Sequence, residues 1–297
     1  MQTMDAEARQ DAEGDDGGTR IGSRSDTRED EAFVTMVTSD DFVIGAEVML
    51  HSLREHGQGY QGVAATADAD DNGRRRPLIV MVTPGVSKTK RQALKSVADD
   101  VIEVEPIAMP LQEGEGNVPA WTEVGYTKLR VWGLTQFKRV VYIDADALVM
   151  ESVAELFDRK VDFAAAPDVF PPDRFNAGVM VLAPSVLVLE DMLSKLVELP
   201  TYDGGDTGFL NAYFSDWFVR PAAARLPFAY NALRTVYWMT HEKNPGYWNA
   251  IGPPKIIHYC SSPKPWEDGK RKGDLEMIWW QQIVKIKMAS VPSMGGF

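Results

Sequence analysis

The stretch that most constrains this chain runs from Arg139 to Met150: Arg139-Val140-Val141-Tyr142-Ile143-Asp144-Ala145-Asp146-Ala147-Leu148-Val149-Met150. Its first half is β-branched and aromatic, which predicts a short buried strand. Asp144 and Asp146 then fall at the carboxyl end of that strand. Open α/β sheets hold ligands there, because strand ends and their loops carry backbone groups not yet used in the ladder. Two carboxylates this close repel and are costly to bury bare, so a divalent cation is their natural counter-charge. With 43 acidic residues in the chain, Asp-x-Asp alone is a frequent accident. The hydrophobic strand leading into it lifts it above that background.

The rest of the chain supplies a matching framework. Residues 1–30 are polar and charged, and ordering them would cost entropy without burying surface, so a disordered acidic tail is expected, followed by one domain over 31–297. Ala32 to Thr38 predicts a first strand, Ser39-Asp40-Asp41 a turn and cap, and Phe42 to His56 a helix with Ile44, Val48, Leu50 and Leu53 on its apolar positions. There is no Gly-x-Gly-x-x-Gly in this strand-turn-helix unit, so it is not a dinucleotide fold. Gly57 to Arg76 reads as a polar surface insertion, and its Arg74-Arg75-Arg76 as part of a solvated loop rather than a phosphate site.

Leu78 to Val82 predicts the second strand, Lys88 to Ala98 a helix, Val101 to Glu105 an alternating edge strand, and Trp121 to Leu134 a helix. Beyond the central strand, Asp162 to Ala166 and Ala177 to Leu182 read as strands, and Pro184 or Ser185 to Lys195 as a helix. Gly208 to Phe214 predicts a short helix, Ile256 to Tyr259 a last strand, and Met277 to Val284 a helix packed on the body. Pro227 to Trp238 gives no clear signal. Short buried strands alternating with helices predict the α/β class, with a mostly parallel central sheet flanked by helices.

Composition narrows the function. A net charge of −12 argues against binding a nucleic-acid backbone. No segment is long and apolar enough to span a bilayer, and Met1 to Glu7 lacks the basic start and apolar run of a signal peptide. The single cysteine, Cys260, excludes an intrachain disulfide and fits a reducing compartment, so a cytoplasmic location is expected.

Four further elements carry chemistry. Phe175-Asn176-Ala177-Gly178 places an amide ahead of a strand, and Asp203-Gly204-Gly205-Asp206 sets two acids on a glycine turn. His258 ends a strand, where imidazole beside two carboxylates suits manganese, whereas magnesium prefers oxygen. Lys264, between Pro263 and Pro265, is a positioned point charge suited to a phosphate. Each has a plainer reading as a turn former or core residue. Cys260 beside His258 reads as a small buried hydrophobe, not half of a zinc site.

Together these elements resemble glycogenin and its relatives among the retaining nucleotide-sugar glycosyltransferases, glycosyltransferase family 8. The resemblance rests on Phe33-Val34-Thr35, Thr127-Lys128-Leu129 with Trp132 to Gln136, Tyr142 to Asp146, Ala166-Pro167-Asp168, Phe175 to Gly178, Asp203 to Asp206, and His258 with Lys264-Pro265-Trp266. These motifs run in order over about residues 32–267. The resemblance implies a GT-A type nucleotide-diphospho-sugar transferase fold, Mn2+ (or Mg2+), and UDP-glucose or a related UDP-sugar as donor.

Carried onto this sequence, it implies Asp144, Asp146 and His258 as metal ligands and Lys264 and Ser261 at the diphosphate. It places Ala145 and Asn176 on the donor and Met36, Thr38, Ser39 and Phe42 around the uridine. Asp206, then Asp203, are the implied catalytic carboxylates, with Lys128 beside the donor. The sequence departs from the family at Phe42 (usually tyrosine), Thr207 (glutamine) and Ser261 (glycine). The family's self-glucosylated tyrosine falls on Trp238, with Tyr237 one residue short. The acceptor is therefore expected to be a sugar, a protein tyrosine or a lipid, within a monomer or homodimer. The non-enzyme alternative is a scaffold that binds a partner through the aromatics between Trp238 and Trp248.

Overall fold

The computed structural model describes residues 30–57, 75–109, 124–169, 171, 173–267 and 273–289. Apart from Asp30, the expected tail lies outside the described residues, as do 58–74 of the expected insertion. The first part of the chain gives β1 (Glu31–Val37), α1 (Val43–Ser52), β2 (Leu78–Val82), α2 (Lys88–Val97) and β3 (Asp100–Glu103). The middle gives β4 (Arg139–Ile143), β5 (Ala147–Val149), β6 (Phe163–Pro167), β7 (Phe175–Leu182), α3 (Val186–Ser194) and α4 (Asp206–Tyr213). The last part gives β8 (Ala232–Leu233), α5 (Arg234–Thr240), α6 (Gly246–Asn249), β9 (Ile256–His258) and α7 (Asp274–Ala289).

Six strands form the central sheet in the order β3-β2-β1-β4-β7-β6. The β1–β2, β2–β3 and β1–β4 pairs are parallel, whereas β7 runs antiparallel to both β4 and β6. Alternate residues of β4 serve different cores: Val141 and Ile143 join one face with α1, Val140 and Tyr142 the other with Trp132 and Phe209. This double burial is why the strand reads as a near-continuous hydrophobic run. β3 is the edge strand expected, but without strict alternation, since Val101 and Ile102 are both half-buried.

A second sheet, β5-β9-β8, branches off where β4 ends. Ala147 pairs with His258, and Leu233 lies opposite His258 on the other side. That register brings a residue over a hundred positions downstream against Asp146. The stretch from Pro227 to Trp238 becomes a 3₁₀ turn, β8 and the start of α5. Helix was expected up to Leu134; the described part is a 3₁₀ helix over Thr127–Gly133. The end of the expected surface insertion is anchored rather than solvated. Arg75 makes a bidentate pair with Asp99 (2.6 and 2.7 Å), while Arg76 is buried against Glu31 (2.7 Å) and over the Phe157 ring. Two arginines this close to β2 clip the chain back onto the sheet.

Candidate metal and donor site

The chain turns sharply after β4. Asp144 N–H donates to the Gly178 carbonyl (2.8 Å), and Ala147 N–H donates back to the Asp144 carbonyl (3.1 Å). Both carboxylates therefore leave the sheet on a short, fixed turn. His258 meets them there: Nε2 lies 3.2 Å from Asp146 Oδ1 and 3.7 Å from Asp144 Oδ2. One ligand atom from each of the three residues falls within 4.8 Å of the others. The ring is oriented from behind. Asn231 Nδ2 donates to Asn176 Oδ1 (2.9 Å), which leaves Asn231 Oδ1 facing His258 Nδ1 at 2.8 Å as an acceptor. Nδ1 must then carry its hydrogen, and Nε2 is the nitrogen turned to the acids. Gly178 makes this approach feasible: a Cβ there would lie 2.1 Å from His258 Cε1. Two carboxylates and an oriented imidazole are a donor set that fits a divalent ion such as manganese.

Two lysines offset part of the acids' charge. Lys128, buried in the 3₁₀ helix, sets Nζ 2.6 Å from Asp206 Oδ2 and 3.1 Å from Asp144. Burial works against its charge, but Asp144 and Asp206 outweigh burial and its pKa is raised. Burial raises the Asp144 pKa, and the charge of Asp146 adds to that; Lys128 opposes it. Tyr142 donates to Asp144 Oδ1 at 2.8 Å from beneath. Asp146 is also buried, yet the His258 ring and the Lys264 ammonium, bonded to its Oδ2, hold its carboxyl well below the usual range. Asp206 is placed by α4, which is strapped to β7. Asn211 bonds both the N–H and the carbonyl of Phe175, and Thr207 Oγ1 accepts from Ala177 N–H.

The family model described as Glycosyl transferase family 8 matches residues 33–270. The chain belongs to this family. It is 36% identical to human glycogenin-1 over 242 residues, which cover 80% of this chain and 62% of that protein. It is also 31% identical to inositol phosphorylceramide glucuronosyltransferase 1 of Arabidopsis thaliana over 256 residues, 80% of this chain and 42% of that protein. The chain thus spans less than two thirds of these curated relatives. Among solved structures, the galactosyltransferase LgtC in complex with donor and acceptor sugar analogs superposes with a TM-score of 0.61 at 18% identity, covering 89% of this chain and 98% of that one. The glycosyltransferase GlyE of Streptococcus pneumoniae TIGR4 gives 0.58 at 17%, covering 85% and 59%. The architecture is the GT-A type α/β fold.

The family expectations divide on the structure. Phe42 lies edge-on to Trp266 (5.7 Å between centroids), and Lys264 Nζ is 5.7 Å from the Phe42 ring. Trp266 also fits over Gly45, where a Cβ would lie 2.6 Å from its ring and 2.8 Å from the Ala145 carbonyl. Phe42, Ala145 and Lys264 therefore share one corner. Nearby, the Thr38 carbonyl accepts from Thr83 Oγ1 (2.8 Å), Ser39 opens the turn into α1, and Met36 is half-buried in the sheet core. Asn176 sits behind His258 through Asn231. The two acids of the glycine turn part company. Asp206 reaches Lys128, whereas Asp203 Oδ1 accepts from Gly205 N–H, Gly208 N–H and Thr201 Oγ1 (2.9, 2.9 and 2.8 Å), holding the loop itself.

Ser261 is engaged by Arg234 through both its carbonyl and hydroxyl. Asn231, Tyr142 and Arg234 were not among the expected site residues. Asn231 lies in the stretch that gave no clear signal, and nothing in local sequence links it to His258. A cavity of about 750 Å³ bordered by Asp191, Lys195, Tyr213, Phe214 and Arg220 shares no residue with this site. Among the described residues, no helix is long and apolar enough to cross a membrane.

Proposed function

We propose that the chain is a manganese-dependent retaining hexosyltransferase that moves a sugar, glucose foremost, from a UDP-sugar to a hydroxyl acceptor. The observation that carries this is the meeting of Asp144, Asp146 and His258 at the end of β4, with Lys264 on one side and the Lys128–Asp206 pair on the other. A divalent ion held by Asp144, Asp146 and His258 would supply positive charge for the leaving diphosphate. Lys264 adds a second charge on that side, where negative charge grows as the glycosidic bond breaks. Lys128, kept charged by its two carboxylates, fixes the direction of Asp206. Asp206 is then the carboxylate to face the sugar carbon as it becomes oxocarbenium-like. Asp203 supports it by shaping the loop. Met36, Thr38, Ser39 and Phe42 line the uridine end.

The test is UDP release from UDP-glucose with manganese. Turnover with wild type and none with Asp144→Asn/Asp146→Asn is expected. No UDP from a protein saturated with donor would favour the scaffold reading instead.

Self-transfer is the second reading, and one observation favours it. Tyr237 stands midway along α5, half-buried, with its hydroxyl donating to Asp274 (2.8 Å), its ring stacked on His241 and edge-on to Trp248. Trp238 instead lies over the Arg234 guanidinium at 4.0 Å. Intact mass after incubation with manganese and UDP-glucose separates the readings. Hexose increments that vanish in Tyr237→Phe mean self-priming, within one chain or a homodimer. UDP release without mass gain sends the sugar to a soluble sugar, a lipid or another protein.

A further inference from the structure

Arg234 opens α5 and is 0% exposed. Its Nη1 pairs with Glu276 of α7 at 2.9 Å, and Glu276 is itself 2% exposed. Nη2 turns the other way and serves one short segment: the Ser261 carbonyl at 2.5 Å, Ser261 Oγ at 3.0 Å and the Pro263 carbonyl at 2.9 Å. Lys264 follows directly. The same segment meets α7 twice more, through Trp280 Nε1 to the Pro265 carbonyl (3.0 Å) and Trp266 beside Trp279 (5.5 Å). α7 lies beyond residue 270, where the family match ends.

Burying a guanidinium and a carboxylate costs several kcal/mol before their attraction is counted, and apolar residues of like volume often serve stability as well. What apolar residues cannot do is hold two carbonyls and a hydroxyl of the chain that leads into Lys264. The guanidinium's planar fork gives those acceptors fixed directions. Carbonyl oxygens committed to Arg234 are also not presented to an anion, which they would repel.

We propose that Arg234, backed by Glu276, is a positioning residue for the diphosphate end of the donor. It fixes Ser261 to Pro263 so that the Lys264 ammonium stands at Asp146. This rests on the UDP-sugar reading above, so the experiment has one arm that needs no donor. In the ligand-free protein, hydrogen exchange is followed in Ser261 to Glu267 and in β4 for wild type, Arg234→Met/Glu276→Leu and Arg234→Lys. The second arm compares titrations with UDP and with uridine, both with manganese present.

The double variant is expected to keep β4 protected, exchange faster in Ser261 to Glu267, and lose about tenfold or more in UDP affinity with uridine affinity unchanged. Arg234→Lys, which keeps the charge but not the fork, should fall between. If the double variant does not fold, Arg234→Lys decides by the same criteria. Unchanged exchange and unchanged UDP affinity in a folded variant would overturn the proposal. If wild type binds no UDP, the donor reading fails, and the exchange arm alone decides whether Arg234 holds the segment.

Discussion

Two of the places where the described residues bury charge are built on opposite plans. At the end of β4, Asp144, Asp146 and Asp206 face Lys128, Lys264 and His258, and the carboxylates are 20%, 9% and 21% exposed. Elsewhere, Arg234 and Glu276 form one ion pair, at 0% and 2% exposed. The first cluster has acids enough to take another cation, and Asp144 and Asp206 stay partly exposed. The second is balanced one against one and closed. A closed neutral pair shapes the chain around it, whereas an open cluster with acids in excess is where a ligand can complete the charge balance.

Breaking the open cluster should have the largest effect. Asp146→Asn removes a carboxylate that meets both His258 and Lys264. Turnover of UDP-glucose should fall by at least about 10²-fold, in keeping with losing one charge-stabilising group in an active site. The fold should survive, because the residue contributes little apolar packing. Full activity of the variant at ordinary manganese would merge the two clusters into one structural class.

The next effect comes from behind the ligands. Asn231→Ala removes the acceptor that orients His258 Nδ1. Manganese affinity, read by calorimetry, should drop ~10–100-fold, the usual cost of losing such a support. An unchanged affinity would show that β9 alone aims the ring.

How far this site could be read beforehand follows from where its parts lie in the chain. Asp144 and Asp146 declared themselves because the strand that carries them is local and hydrophobic. The α/β alternation was equally local. His258 reaches them only through the β5–β9 pairing, a contact no periodicity encodes, so its place in the site rested on family resemblance. Asp203 and Asp206 looked equivalent by spacing. Only the folded loop shows that one is consumed by backbone N–H groups while the other reaches a lysine. Arg234 gave no signal, since its acceptors lie 27 to 42 positions away and two of the four are main-chain carbonyls. Antiparallel β6–β7 was likewise invisible, because strand direction is set by connections and not by composition.

A smaller effect separates the clusters by pH. Asp146 has a folded pKa below its ordinary value of 3.8. Between those two values the unfolded chain binds more protons, so stability rises with pH there. The contribution is complete above the ordinary value and lost as pH falls through the folded one. With chelator present, wild type should therefore resist denaturant better than Asp146→Asn at pH 7, and the gap should close as the pH drops below the usual aspartate range. A gap that widens on acidification would mean that Asp146 is not held ionised by His258 and Lys264.

The smallest effect provides the scale for the others. Arg75 and Asp99 form a pair with good bidentate geometry, but their side chains are 42% and 20% exposed, in contrast to the closed Arg234–Glu276 pair. Burial pushes the Asp99 pKa up, and the hydrogen bonds from Arg75 and the Leu78 N–H more than reverse it, so the carboxylate keeps a partner even without the arginine. Water and salt screen what remains of the attraction. Arg75→Ala should cost less than about 1 kcal/mol in denaturant unfolding, and less still at high ionic strength. UDP affinity should not change, because Arg75 acts through Asp99 to clip the start of β2. A loss of several kcal/mol, insensitive to salt, would mean that this pair behaves as a buried one. Exposure would then no longer separate the pairs that shape this chain from those that merely decorate it.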